Sequence, residues 1–77
     1  MAAHTYKVIE LVGSSDKSVE DAIEGAVGRA AETLKNLDWF EMKEVRGQIE
    51  GGKVKWYQVK LAVGFRVLDP ADVHREA

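Results

Sequence analysis

Three side chains in this sequence are equipped to recognise a flat molecule: Trp39, Arg46 and Gln58. An indole offers a broad π face, a guanidinium a planar fork of donors, and an amide one donor group beside one acceptor. Trp39 and Arg46 stand in Leu37-Asp38-Trp39-Phe40-Glu41-Met42-Lys43-Glu44-Val45-Arg46-Gly47, and Gln58 in Tyr57-Gln58-Val59. Both stretches read as strands of one long hairpin closed at Gly51-Gly52, a favourable two-residue turn. Taking Glu50 opposite Lys53 puts Trp39 opposite Gly64, Val45 opposite Gln58, Arg46 opposite Tyr57 and Gly47 opposite Trp56. A glycine in mid-strand leaves room for something to approach the backbone, and indole stacking on a conjugated ring would use that room. Sealing of a subunit contact by Trp39 fits the spacing equally well.

The period-two alternation of a strand sorts these residues by face. Phe40, Met42, Tyr57, Val59, Leu61, Val63 and Phe65 share the side a helix should cover. Trp39 lies on the other side among Glu41, Lys60, Ala62, Gly64 and Arg66, and Gln58 shares that face. Toward the turn the alternation changes sides on both strands, placing Val45, Ile49, Val54 and Trp56 on the face opposite Phe40 and Leu61. We expect this distal part to pack on a neighbouring subunit, the alternative being a bulge that re-aims the strand within one chain. Trp39 and the Gln58 rung lie six residues apart, about 20 Å along a strand. A single ring system touching both would therefore draw them from different subunits or need a sharply bent hairpin.

The elements that must position these residues follow from the rest of the sequence. Tyr6 to Val12 is rich in β-branched and aromatic residues and reads as a strand over 6–12, closed by a Gly13-Ser14-Ser15-Asp16 loop. Ser18 is a predicted N-cap, with Asp21 three residues on as a capping-box analogue. Val19, Ile23, Ala26, Val27, Ala30 and Leu34 keep helical spacing, which predicts a helix over 18–36. Gly25 and Gly28 interrupt it and, with Ala22, could form a small-residue face. Strands over 37–50 and 53–68 follow, and 69–77 is a tail. The order β-α-β-β gives an α+β fold, a three-stranded antiparallel sheet wrapped on one helix, in a single domain over 1–77. A helix over 18–36 spans about 28 Å and the long strands about 45 Å, so one helix cannot cover the sheet.

Seventy-seven residues with no cysteine exclude disulfides and thiolate metal sites, and oligomerisation is the remaining means of stabilising so small a core. A net charge of −2 argues against a nucleic-acid binder, whose footprint is basic. No apolar run approaches the roughly 20 residues of a membrane span, and no signal peptide is visible, so we expect a cytoplasmic protein. Catalysis finds no support: His4 and His74 lie near opposite ends, and there is neither a cysteine nucleophile nor a metal-spaced cluster. Gly13-Ser14-Ser15 ahead of a helix is a weak anion signal.

The residues quoted above, with the opening Tyr6-Lys7-Val8-Ile9-Glu10-Leu11-Val12-Gly13-Ser14-Ser15 and Val63-Gly64-Phe65-Arg66, resemble the dodecins, small flavin-binding proteins, over nearly the whole chain. Arg46-Gly47 is similar to the bacterial branch. The resemblance implies a hollow dodecamer of cubic symmetry in which paired flavins (FMN, FAD or riboflavin) stack at two-fold axes, each against a tryptophan. Trp39 would take that role, Gln58 would hydrogen-bond the isoalloxazine edge, and Asp38 and Arg46 would line the same pocket. Coenzyme A binding on the shell, as in some bacterial members, would fall to Tyr6, Arg29, Thr33, Leu34, Lys35 and Arg66, which otherwise read as solvated charges and helix-end residues. The function implied is flavin storage with quenched photochemistry and no turnover. Its alternatives are a structural oligomeric shell or a coenzyme A-binding protein without flavin. Trp56 is a second tryptophan that the resemblance does not require, and it reads as packing at the far end of the hairpin.

Overall fold

The computed structural model describes residues 3–68; the predicted tail over 69–77, with His74, lies outside them. Four elements follow one another: β1 (Thr5–Ser15), α1 (Val19–Ala31), β2 (Leu37–Glu50) and β3 (Lys53–Val67). The strands form one antiparallel sheet in the order β1-β3-β2. The helix therefore carries the chain from one edge of the sheet across to the other, and the last strand fills the gap between them.

The hairpin turns where Gly51 and Gly52 adopt φ of 61° and 78°. Two consecutive positive φ values give the turn a twist that matches paired strands, and glycine reaches them without steric cost. β1 runs three residues past its predicted end, because β3 is long enough to pair Val59, Gln58 and Tyr57 with Gly13, Ser14 and Ser15. The expected Gly13-Ser14-Ser15 loop, and with it the anion signal, is replaced by strand.

Ser15 is buried and organises the start of α1. Its hydroxyl donates to Asp21 Oδ2 at 2.7 Å and accepts from the Lys17 backbone N–H at 2.9 Å. Ser18 is the N-cap, its hydroxyl accepting from the Asp21 N–H at 2.9 Å. Asp21 thus ties back to Ser15, rather than to the cap residue as in a reciprocal capping box. The helix ends at Ala31, five residues before its predicted end. Asn36 takes φ 65°, a left-handed conformation that asparagine tolerates and that a helix cannot continue through.

The core lies between α1 and the β1–β3 half of the sheet. Ala22, Val59, Leu61 and Val63 are buried, with Ile9, Leu11, Val19, Ile23, Ala26, Val27 and Leu37 packed around them. Full burial of a side chain such as Leu61 or Val63 contributes about 1.5–3 kcal/mol. The close approach sits on the strand, at Gly13, where a Cβ would meet the Ala22 carbonyl oxygen at 2.5 Å and Ala26 Cβ at 2.8 Å. Gly25 and Gly28, which could form a small-residue face or simply lie toward solvent, face open space within the chain.

The register corrects one sequence expectation. Trp39 pairs with Gly64 and Glu50 with Lys53, but between them Arg46 pairs with Gln58, Gly47 with Tyr57, and Val45 with Val59. Lys43 on β2 and Lys55 on β3 are each left over between rungs, two bulges that cancel in the residue count. Paired residues share a face, so Val45 joins Val59 and Leu61 on the helix side, not the opposite side. Ile49 and Val54 follow Gly47 and Tyr57 onto that side, and a Cβ on Gly47 would stand 3.7 Å from Val54 Cγ1. The apparent switch of faces comes from the bulges. Trp56 alone of the four stays opposite, beside Gln48, Arg46 and Gln58.

What remains is an apolar stripe longer than its cover. The 13 residues of α1 span about 20 Å and the 15 of β3 about 50 Å. Beyond Leu37 every residue of β2 is exposed, and Ile49 and Val54 retain 73% and 54% of their surface.

Candidate flavin site

The outer face of the sheet carries two groups of residues, separated along β3. The first is built on the Trp39–Gly64 rung. A Cβ on Gly64 would fall on Trp39 Cε2 and Cζ2, with Cδ2 at 2.8 Å. Cε2 is a ring-fusion atom surrounded in plane by three ring neighbours, so a point nearest to it lies above the ring and not beyond its edge. The indole is therefore laid flat across the glycine. Gly64 was expected to leave room for a ligand; Trp39 itself fills that room. The backbone seats one indole face, while the residue stays 42% exposed. Asp38, the bulge residue just before, borders with Trp39 a recess of about 120 Å³ that opens at the β2 edge onto the helix side, where Phe40, Leu37, Val27 and Val63 line it.

The second group is built on the Arg46–Gln58 rung, where Arg46 Nε donates to Gln58 Oε1. The bond exists because of the bulge at Lys43: in an unbulged register Gln58 would face Val45. With its carbonyl engaged, the Gln58 amide keeps its NH₂ as a donor, next to the guanidinium of Arg46. The pair presents donors, suited to a ligand edge of carbonyl oxygens or to a phosphate. A recess of about 350 Å³ surrounds it, lined also by Ser14, Gly47, Gln48 and Trp56. Sequence reasoning missed Ser14, taken for a loop, and Gln48. It assigned Trp56 to packing, although its place two residues from Gln58 was a usable sign that both share a face.

The four residues implied by resemblance thus form two pairs, Asp38 with Trp39 and Arg46 with Gln58, each lining its own recess among the described residues. The remaining six are spread more widely. Tyr6 pairs with Arg66 across β1 and β3, and the Arg66 N–H donates to the Asn36 carbonyl at 3.0 Å, bringing the turn with Thr33, Leu34 and Lys35 alongside. Arg29 lies on the last turn of α1, 3.9 Å from Glu32 in an exposed ion pair. Among the described residues, no group of three or more His, Asp or Glu is placed to hold a metal ion, and no helix is long and apolar enough to cross a membrane.

The family model for dodecin matches residues 5–68. This chain belongs to the dodecin family. Dodecin from Thermus thermophilus is 56% identical over 62 residues, which cover 80% of this chain and 90% of that protein. The solved dodecin of Streptomyces coelicolor is 52% identical, with a TM-score of 0.83 over 90% of this chain and 99% of its own. A calcium dodecin from Mycobacterium tuberculosis, solved with a calcium-binding site, is 32% identical with a TM-score of 0.72, over 87% of this chain and 94% of its own. Dodecins are small oligomeric binding proteins, in general for flavins, and not enzymes. The outer face fits such a ligand: one indole face is held by backbone while the other is offered outward, and a donor pair stands on the same side of the sheet.

Proposed function

We propose that the protein sequesters flavins in a dodecameric shell, stacking them in pairs against Trp39. The observation that carries this reading is the indole laid on Gly64. An aromatic platform fixed on one side and open on the other binds a flat ring without first having to order itself. Gln58, oriented by Arg46, would donate to the carbonyl edge of the isoalloxazine, and Asp38 would border the platform. The two rungs lie six β3 residues apart, about 20 Å, so Trp39 and Gln58 would reach one ring from different copies of the chain. The uncovered stripe through Val45, Ile49 and Val54 supports such an assembly, since a second copy would remove it from water.

When bound, the flavin supplies an oxidising ring whose excited state an adjacent indole can quench by electron transfer. The protein's part is to hold that ring flat, dry and paired, which gives storage and photoprotection without turnover. Titrating flavin with the apo-protein beside a sizing measurement tests this. Stoichiometric loss of flavin emission by a large assembly is expected, abolished by Trp39→Ala and partly retained by Trp39→Phe. Undiminished emission, or a single small chain in solution, would overturn it.

A further inference from the structure

Trp56 has no part in the reading above, yet it walls the larger outer-face recess, 41% exposed and opposite Gln48 on the neighbouring strand. Three recognition chemistries meet there. The Trp56 indole offers a stacking surface for a planar base. The Gln48 amide can donate and accept side by side, the pattern that reads an adenine edge. The terminal nitrogens of Arg46, whose Nε is committed to Gln58, are free to point at a phosphate. Ser14 closes the recess on the β1 side with a hydroxyl.

We propose that Trp56, Gln48 and Arg46 form a subsite for an adenine nucleotide, so that this chain favours an adenine dinucleotide flavin over flavin mononucleotide or riboflavin. The preference for a flavin rests on the preceding reading; the nucleotide subsite does not. Trp56 stands two residues from Gln58 on one face, about 7 Å along the strand. A ring read by Gln58 therefore leaves its ribityl-pyrophosphate tail within reach of the recess. The chemistry of the subsite is that of any adenine nucleotide, free or carried on a flavin, and two measurements separate these sources.

The first compares riboflavin, the mononucleotide and the dinucleotide by flavin quenching. The dinucleotide is expected to bind roughly tenfold tighter than riboflavin, within the range of one base stacked on an aromatic side chain. In Trp56→Ala that ratio should fall toward one. Equal affinities in the parent chain would overturn the dinucleotide preference. The second uses the fact that the chain has only two tryptophans: Trp39→Phe leaves Trp56 as the sole indole. Titration of this variant with AMP should lower indole emission saturably, and Gln48→Ala added to it should weaken that response several-fold. Saturable AMP binding with no flavin quenching in the parent would keep the subsite and sink the flavin reading. Emission unmoved by AMP would overturn the subsite whatever the flavins do. Should Trp56→Ala also dismantle the assembly in that case, the indole belongs to subunit packing.

Discussion

The two ends of the hairpin are made of similar residues and live in different surroundings. Around Leu61 and Val63 the inner face of the sheet is pressed onto α1, with Gly13 letting the helix backbone close in. Around Val45, Ile49 and Val54 the same face continues, equally apolar, with none of the described residues packed over it. The difference teaches that the helix buries the apolar face at one end of the hairpin, whereas the same face at the far end stays exposed. The outer face repeats the division: an indole clamped to backbone at the covered end, a roomier polar recess at the bare end.

The largest expected effect breaks the contrast from the covered side. Leu61, fully buried, should cost about 2–5 kcal/mol when truncated to alanine. Ile49→Ala should change the stability of the isolated chain by less than about 0.5 kcal/mol. Denaturant midpoints for the two variants, read at a concentration where the chain is monomeric, check both values. At high concentration Ile49→Ala should weaken assembly, and an unchanged size distribution would show that the bare stripe is not an interface.

A subtler substitution acts on the outer face of the covered end. Gly64→Ala adds a methyl group where the indole lies, and the ring must lift or rotate. Overpacking of this kind costs about 1–3 kcal/mol. Its sharper signature would be a shift in Trp39 emission together with a loss of flavin affinity exceeding the loss of stability. The smallest effect concerns the helix start: Ser18→Ala removes the N-cap and should cost about 1 kcal/mol, lowering the thermal midpoint without altering the outer face.

Much of this arrangement was legible before any coordinates. Gly51-Gly52 anchors the register at one end and so places Trp39 over Gly64 at the other. Helical spacing located the face of α1 that meets the sheet, and Ser18 marked its start. The middle of the hairpin was not legible by counting, because surplus residues at Lys43 and Lys55 cancel and leave both ends in register. The inverted alternation between Met42 and Val45 was the only trace, and it reads equally as an exposed apolar patch. The early end of α1 was hidden by Leu34, which keeps the helical period beyond the last hydrogen-bonded turn, while Asn36, a common left-handed residue, was the overlooked signal. Ser14 could not be seen as a site residue while it read as a loop and not as a strand partner of Gln58, and Gln48 not until the bulges had set which side it faces.

The seat beneath Trp39 also constrains how this lineage can vary. A side chain at position 64 and an indole at position 39 compete for one volume, so neither position can drift by itself. Relatives that carry anything bulkier than glycine there should show a smaller or displaced aromatic across the ladder, the two positions changing together as a single heritable unit.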